Sequence, residues 1–147
     1  MSFSAPFLPA VVEEVLARHR GEPGALLPIL HEVQDAMGCV PVDAVPQIAR
    51  ALNLSRAEVH GVVSYYHHFR STPPTAPVLQ VCRAEACQAM GGEAIWAHAQ
   101  TLPGCQVEAV YCLGLCASSP AAMWGERLVA RLTPQRLETL VASGVQA

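Results

Sequence analysis

The chain has 147 residues, 52% hydrophobic and only 14% charged, with a formal net charge of −3. It is long enough for one domain or two small ones, and so little charge on so short a chain points to surface that meets another protein. The nine basic residues are all Arg, scattered from Arg18 to Arg136 with no run, which argues against nucleic-acid binding. No apolar run reaches the roughly 18 residues a membrane span needs, so no transmembrane helix is expected.

In chain order, Val12, Val15 and Leu16 give one apolar face to a helix from about residue 9 to 19, broken by Gly21-Glu-Pro-Gly24. Leu26, Leu27, Leu30, Val33 and Met37 stripe a second helix, with Gly38 placed to terminate it. Asp43 is expected to cap a third, short helix carrying Val45, Ile48, Ala49 and Leu52. Ser55-Arg-Ala-Glu58 is a capping box that opens a fourth, with Val59, Val62 and Val63 turned inward. These four helices predict a compact bundle over residues 1–72. Ser71-Thr-Pro-Pro-Thr-Ala-Pro77 then marks a change of character, and residues 73–147 predict a second domain.

Val78-Leu-Gln-Val-Cys82 reads as a buried strand, residues 92–101 as a helix, and residues 106–112 as a second strand. Residues 121–124 and 127–132, separated by Gly125-Glu126, suit a hairpin. Thr133-Pro134 opens a last helix with Leu137, Leu140 and Val141 inside. The order β-α-β-β-β-α, with its first two strands parallel through a right-handed crossover, is thioredoxin-like. The expected class is therefore α+β: an N-terminal helical bundle followed by a thioredoxin-like α/β domain.

The chemistry lies in the cysteines. The N-terminus has no basic region and meets Glu13 and Glu14 where a signal peptide is apolar, so the expected location is the cytoplasm. Thiols stay reduced there, and six of them read as metal ligands or redox groups before disulfides. Cys82 and Cys112 are expected at the C-terminal ends of the two parallel strands, with Cys87 and Cys116 in the loops that follow. The C-x4-C and C-x3-C pairs therefore converge at the sheet edge where open α/β sheets hold their ligands. Cys105 falls at the far end of the second strand, about 20 Å from Cys112, and Cys39 lies in the helical half; both read as small buried hydrophobes.

Three chemistries compete for the four convergent thiols. Structural zinc usually takes tighter C-x2-C knuckles, and a dithiol oxidoreductase needs C-x-x-C at a helix start. A [2Fe–2S] cluster suits wider spacings, and the uncharged stretch from Ala109 to Trp124 would shield it from water. The cluster is the favoured reading. Arg83, next to Cys82, would offset the negative charge of a thiolate site. His60, His67 and His68 have no acidic or cysteine partner near them in sequence, and they read as packing or contact residues. With no G-x-G-x-x-G or P-loop, the chain is expected to bind neither NAD nor FMN.

Val81-Cys-Arg-Ala-Glu-Ala-Cys87 with Tyr111-Cys-Leu-Gly-Leu-Cys-Ala-Ser-Ser-Pro120 resembles the thioredoxin-like [2Fe–2S] subunit of NADH dehydrogenases. The resemblance extends into the helical half through residues 27–34, 38–41 and 59–70. It implies that Cys82, Cys87, Cys112 and Cys116 hold one [2Fe–2S] cluster, one pair per iron. Only 24 residues separate Cys87 from Cys112. That short connection looks more like the gamma subunit of NAD-dependent, molybdenum-containing formate dehydrogenase. This likeness implies a flavin- and NAD-binding beta subunit carrying FMN, and an alpha subunit carrying the molybdenum cofactor. The equivalent subunit of an NADH–quinone oxidoreductase or an NAD-reducing hydrogenase is the alternative, and a zinc-stapled interaction module is the rival from another class.

Overall fold

The computed structural model describes residues 8–144, which form two compact units, 1–74 and 75–147. In the first unit, helices α1 (Pro9–Arg18), α2 (Leu26–Met37), α3 (Val45–Leu52) and α4 (Arg56–Tyr65) follow one another. Val12, Val15, Ile29, Leu30, Val33, Ile48 and Val59 meet in one core, closed by Phe69 from the segment after α4. Gly38 ends α2 at φ 75°, a left-handed conformation in which other residues are strained. The expected capping box is present: Ser55 Oγ accepts from the Glu58 N–H while the Glu58 carboxylate accepts from the Ser55 N–H. Asp43 departs from expectation. It lies in a 3-10 turn, Val42–Ala44, that runs straight into α3, and it makes no capping bond. Because that turn already engages the Ala44 N–H with the Pro41 carbonyl, α3 has no open first turn for Asp43 to cap.

The second unit is built on strands β1 (Val78–Cys82), β2 (Gln106–Val110), β3 (Ala122–Trp124) and β4 (Arg127–Val129), in spatial order β2-β1-β3-β4. β1 and β2 are parallel, with Cys82 opposite Val110, and β3 runs antiparallel to β1. The crossover contains two helices, α5 (Glu85–Ala89) and α6 (Gly92–Ala99), and α7 (Pro134–Ala142) closes the unit. Leu79, Val81, Ile95, Ala122, Trp124, Leu137 and Leu140 form its core. This mixed sheet with flanking helices has the thioredoxin-like architecture. Two boundaries moved. The second strand ends at Val110 rather than at Cys112, and Cys87 sits in the short helix α5 rather than in a loop.

Candidate metal centre

The parallel pair delivers the cysteines to one edge of the sheet. Cys82 is the last residue of β1, and its backbone is held on both sides. The Cys82 N–H donates to the Ala121 carbonyl at 3.0 Å, and the Arg83 N–H donates to the Val110 carbonyl at 2.8 Å. One helical turn further, α5 presents Cys87. The position of Cys87 depends on Gly92: a Cβ there would lie 2.5 Å from the Cys87 carbonyl oxygen, so only glycine lets α6 start this close. Cys82 and Cys87 are both 2% exposed and share a small apolar cluster with Ala121, Ala84, Leu113 and Leu115.

The other two thiols come from the loop after β2. Cys112 adopts φ 87°, a left-handed conformation that costs a non-glycine residue on the order of 1–3 kcal/mol. Gly114 follows at φ 75° and donates its N–H to Cys112 Sγ at 3.4 Å. Together they reverse the chain so that Cys112 Sγ lies 3.6 Å from Cys116 Sγ. Both cysteines are exposed, whereas the first pair is buried. The pocket is thus closed on the β1 side and open on the β2 side.

The four sulfurs sense one another. Burial raises the pKa of the Cys82 thiol, but the N–H groups of Ala84, Cys112 and Leu113 and the Cys87 thiol outweigh it and hold Cys82 below the ordinary thiol range. The strained backbone at Cys112 is therefore what turns two amide dipoles toward the sulfur on the neighbouring strand. The hydrogen bond from Cys112 raises Cys116, with the negative fields of Cys112, Cys87 and Cys82 and a desolvation contribution acting the same way. Four thiols repelling one another's charge make an arrangement that a cation would stabilise.

The donor set fits a thiophilic metal group held in two halves. A tetrahedral metal with bonds of about 2.3 Å to sulfur sets neighbouring sulfurs about 3.8 Å apart, close to the 3.6 Å between Cys112 and Cys116. Among the described residues no group of three or more His, Cys, Asp or Glu is set to hold a single metal ion. The thiols are joined instead as one exposed pair and one buried pair.

Cys105 and Cys39 stand apart from these four. Cys105 is half-buried against the second unit's core, its thiol 3.8 Å from the Leu102 carbonyl, and burial raises its pKa. Cys39 is buried in the first unit and is raised for the same reason. The Arg83 guanidinium is committed elsewhere: it pairs with Glu93 at 2.7 Å and lies 4.9 Å over the Trp96 ring. The charge expected to offset the thiolates is therefore already balanced by a carboxylate. In the first unit, His68 packs against His31 and Phe69, while His60 and His67 are exposed and line a shallow groove with Val63 and Tyr66.

Cysteine spacing did not reveal Ser119. It is 7% exposed, its hydroxyl donates to the Cys116 carbonyl at 2.8 Å, and Cys87 Sγ lies 3.5 Å from its Oγ. A polar residue inside the uncharged stretch was its only signal. No helix among the described residues is long and apolar enough to cross a membrane.

A family model described as a thioredoxin-like [2Fe–2S] ferredoxin matches residues 12–144. The chain is similar to NADH-quinone oxidoreductase subunit 2 of Thermus thermophilus, 32% identical over 89% of this chain and 80% of that one. It is also similar to the NADP-reducing hydrogenase subunit HndA of Solidesulfovibrio fructosivorans, 28% identical over 81% of this chain and 76% of that one. Among solved structures, an NAD+-reducing [NiFe]-hydrogenase in its air-oxidized state superposes with a TM-score of 0.65 at 25% identity, over 81% of this chain. The match spans only 22% of that longer chain.

Proposed function

The chain belongs to the thioredoxin-like [2Fe–2S] ferredoxin family, and from that premise we propose that it is the electron-transfer subunit of an NAD(P)-linked oxidoreductase complex. Cys82, Cys87, Cys112 and Cys116 are the ligands in this reading, one pair to each iron. The cluster, supported for this chain by its family, supplies one-electron exchange, the step that lets a two-electron flavin or nicotinamide centre feed one-electron carriers.

The observation that carries the reading is the convergence of two thiol pairs from parallel strands onto one pocket, buried on one side and open on the other. The buried half, packed by Ala121, Leu113 and Leu115, excludes water. The amide groups of Ala84, Cys112 and Leu113 favour the thiolate form of Cys82. The open half, with Tyr111 70% exposed beside Cys112, is where a partner would approach to exchange the electron. No charge from Ala109 to Trp124 opposes an apolar contact there.

The relatives are subunits of NADH–quinone oxidoreductases and of NAD(P)-reducing hydrogenases, and they favour those complexes over the formate dehydrogenase expected from sequence. One observation keeps formate dehydrogenase as the second reading, namely the 24-residue connection between Cys87 and Cys112. In either reading the flavin, the nicotinamide site and any molybdenum or nickel centre belong to partner subunits. The six free cysteines suit a reducing cytoplasm. Affinity purification of the tagged chain from its own cells, followed by assays with NADH and a quinone, hydrogen and NAD+, and formate and NAD+, separates these outcomes. NADH–quinone or hydrogen–NAD+ activity in the recovered complex supports the first reading. Formate-dependent NAD+ reduction supports the second, and a chain recovered without any redox partner contradicts both.

A further inference from the structure

We propose that Ser119 sets how readily this site is reduced, by donating its hydroxyl proton to the sulfur of Cys87. The inference rests on the reading of Cys87 as a ligand and deepens it. The four thiols are not equally served by the backbone. Cys82 is approached by the N–H groups of Ala84, Cys112 and Leu113, and Cys112 Sγ accepts from the Gly114 N–H. The N–H groups that follow Cys87 are already engaged: Gln88 donates to the Ala84 carbonyl at 3.0 Å, and Met90 to the Cys87 carbonyl at 3.2 Å. Yet Cys87 is 2% exposed, and a buried sulfur carrying negative charge needs a donor.

Ser119 Oγ stands 3.5 Å from that sulfur. The contact shown has the Cys87 thiol donating to Ser119 Oγ, while the hydroxyl itself donates to the Cys116 carbonyl at 2.8 Å. A ligand thiolate has no proton to give, so the bond can survive only in reverse. A rotation about the Ser119 Cβ–Oγ bond moves the hydroxyl proton from the Cys116 carbonyl to Cys87. The Cys116 carbonyl gives up one hydrogen bond and the sulfur gains one, with no proton lost or added. Ser119 cannot turn to water instead, being 7% exposed behind the 3-10 turn Cys116–Ser118. It also ties the second loop to α5 of the first, so a single hydroxyl sees ligands from both pairs.

A proton held on a ligand sulfur draws electron density from the metal and favours the reduced state, in which that sulfur is more negative. In the full chain purified without oxygen, Ser119→Ala should move the midpoint potential to more negative values. Ser119→Thr, which keeps the hydroxyl, should leave it near the wild-type value. Exchange into D2O should shift the iron–sulfur stretching bands of the wild type, and more weakly those of Ser119→Ala. If Ser119→Ala does not load, Ser119→Cys carries the same expectation in smaller measure, because a thiol is a weaker donor. An unchanged potential with an unchanged deuterium shift overturns the proposal, as does an equal displacement in the Ala and Thr variants. Failure of the underlying reading looks different: Cys87→Ser would then retain wild-type iron and sulfide.

Discussion

Glycine 92 and His19 show how single residues hold each unit in shape. A Cβ on residue 92 would press on the Cys87 carbonyl, which is backbone and cannot swing aside. Gly92→Ala should therefore push α6 away from α5, at a cost of about 1–3 kcal/mol. Thermal unfolding and bound iron per chain should both fall, and full retention of iron would show that Cys87 is not positioned through this contact. In the first unit, His19 links α1 to α2 by bridging Glu22 and Glu32, and Arg18 reaches Glu32 as well. Hydrogen bonds to Glu22 and Glu32 raise the pKa of His19, while those from Arg18 and His19 lower that of Glu32. A raised His pKa stabilises the fold below its unfolded value of about 6.5 and loses that contribution as pH climbs through the folded value. A lowered Glu pKa contributes above about 4.5 and is lost toward acid. His19→Gln should thus lower the melting temperature at about pH 6 and change it little at about pH 9. An equal loss at both pH values would contradict the bridge.

At the scale of elements, the sequence was most legible where one local rule decided the outcome. The capping box at Ser55 and the Thr133-Pro134 start of α7 fell where side-chain chemistry requires them. Ser55→Ala should cost about 1 kcal/mol in unfolding free energy, measured by denaturant titration. Leu137→Ala, at a fully buried position on α7, should cost about 2–5 kcal/mol by the same measurement. Elements were missed where tertiary contacts outweighed local signals. The five residues of α5 are too few for helical periodicity, and Ala84 before them makes no side-chain cap. The second strand was read two residues long because Tyr111 and Cys112 continue its apolar alternation. What ends it is the left-handed turn at Cys112, enforced by contacts to the neighbouring strand rather than by any glycine at that position. The capping role given to Asp43 failed for a similar reason, since the preceding turn is itself helical.

Across the whole molecule, each unit folds around its own apolar cluster, and the thiol pocket belongs entirely to the second. Cys82, Cys87, Cys112 and Cys116 could be brought together on paper because a parallel crossover places equivalent strand ends side by side. The division into a buried and an exposed pair, and the place of Ser119 between them, could not, since burial and hydroxyl direction depend on the packing of residues distant in sequence. The central claim is that these four cysteines, and neither Cys39 nor Cys105, hold one [2Fe–2S] cluster. The most direct test is the iron, acid-labile sulfide and zinc content of the chain purified without oxygen, alongside its single Cys→Ser variants. The account predicts two irons and two sulfides per chain, kept in Cys39→Ser and Cys105→Ser and lost or sharply reduced in each of the other four. One zinc per chain without iron, or a cluster retained when Cys82 or Cys112 is replaced, would contradict it.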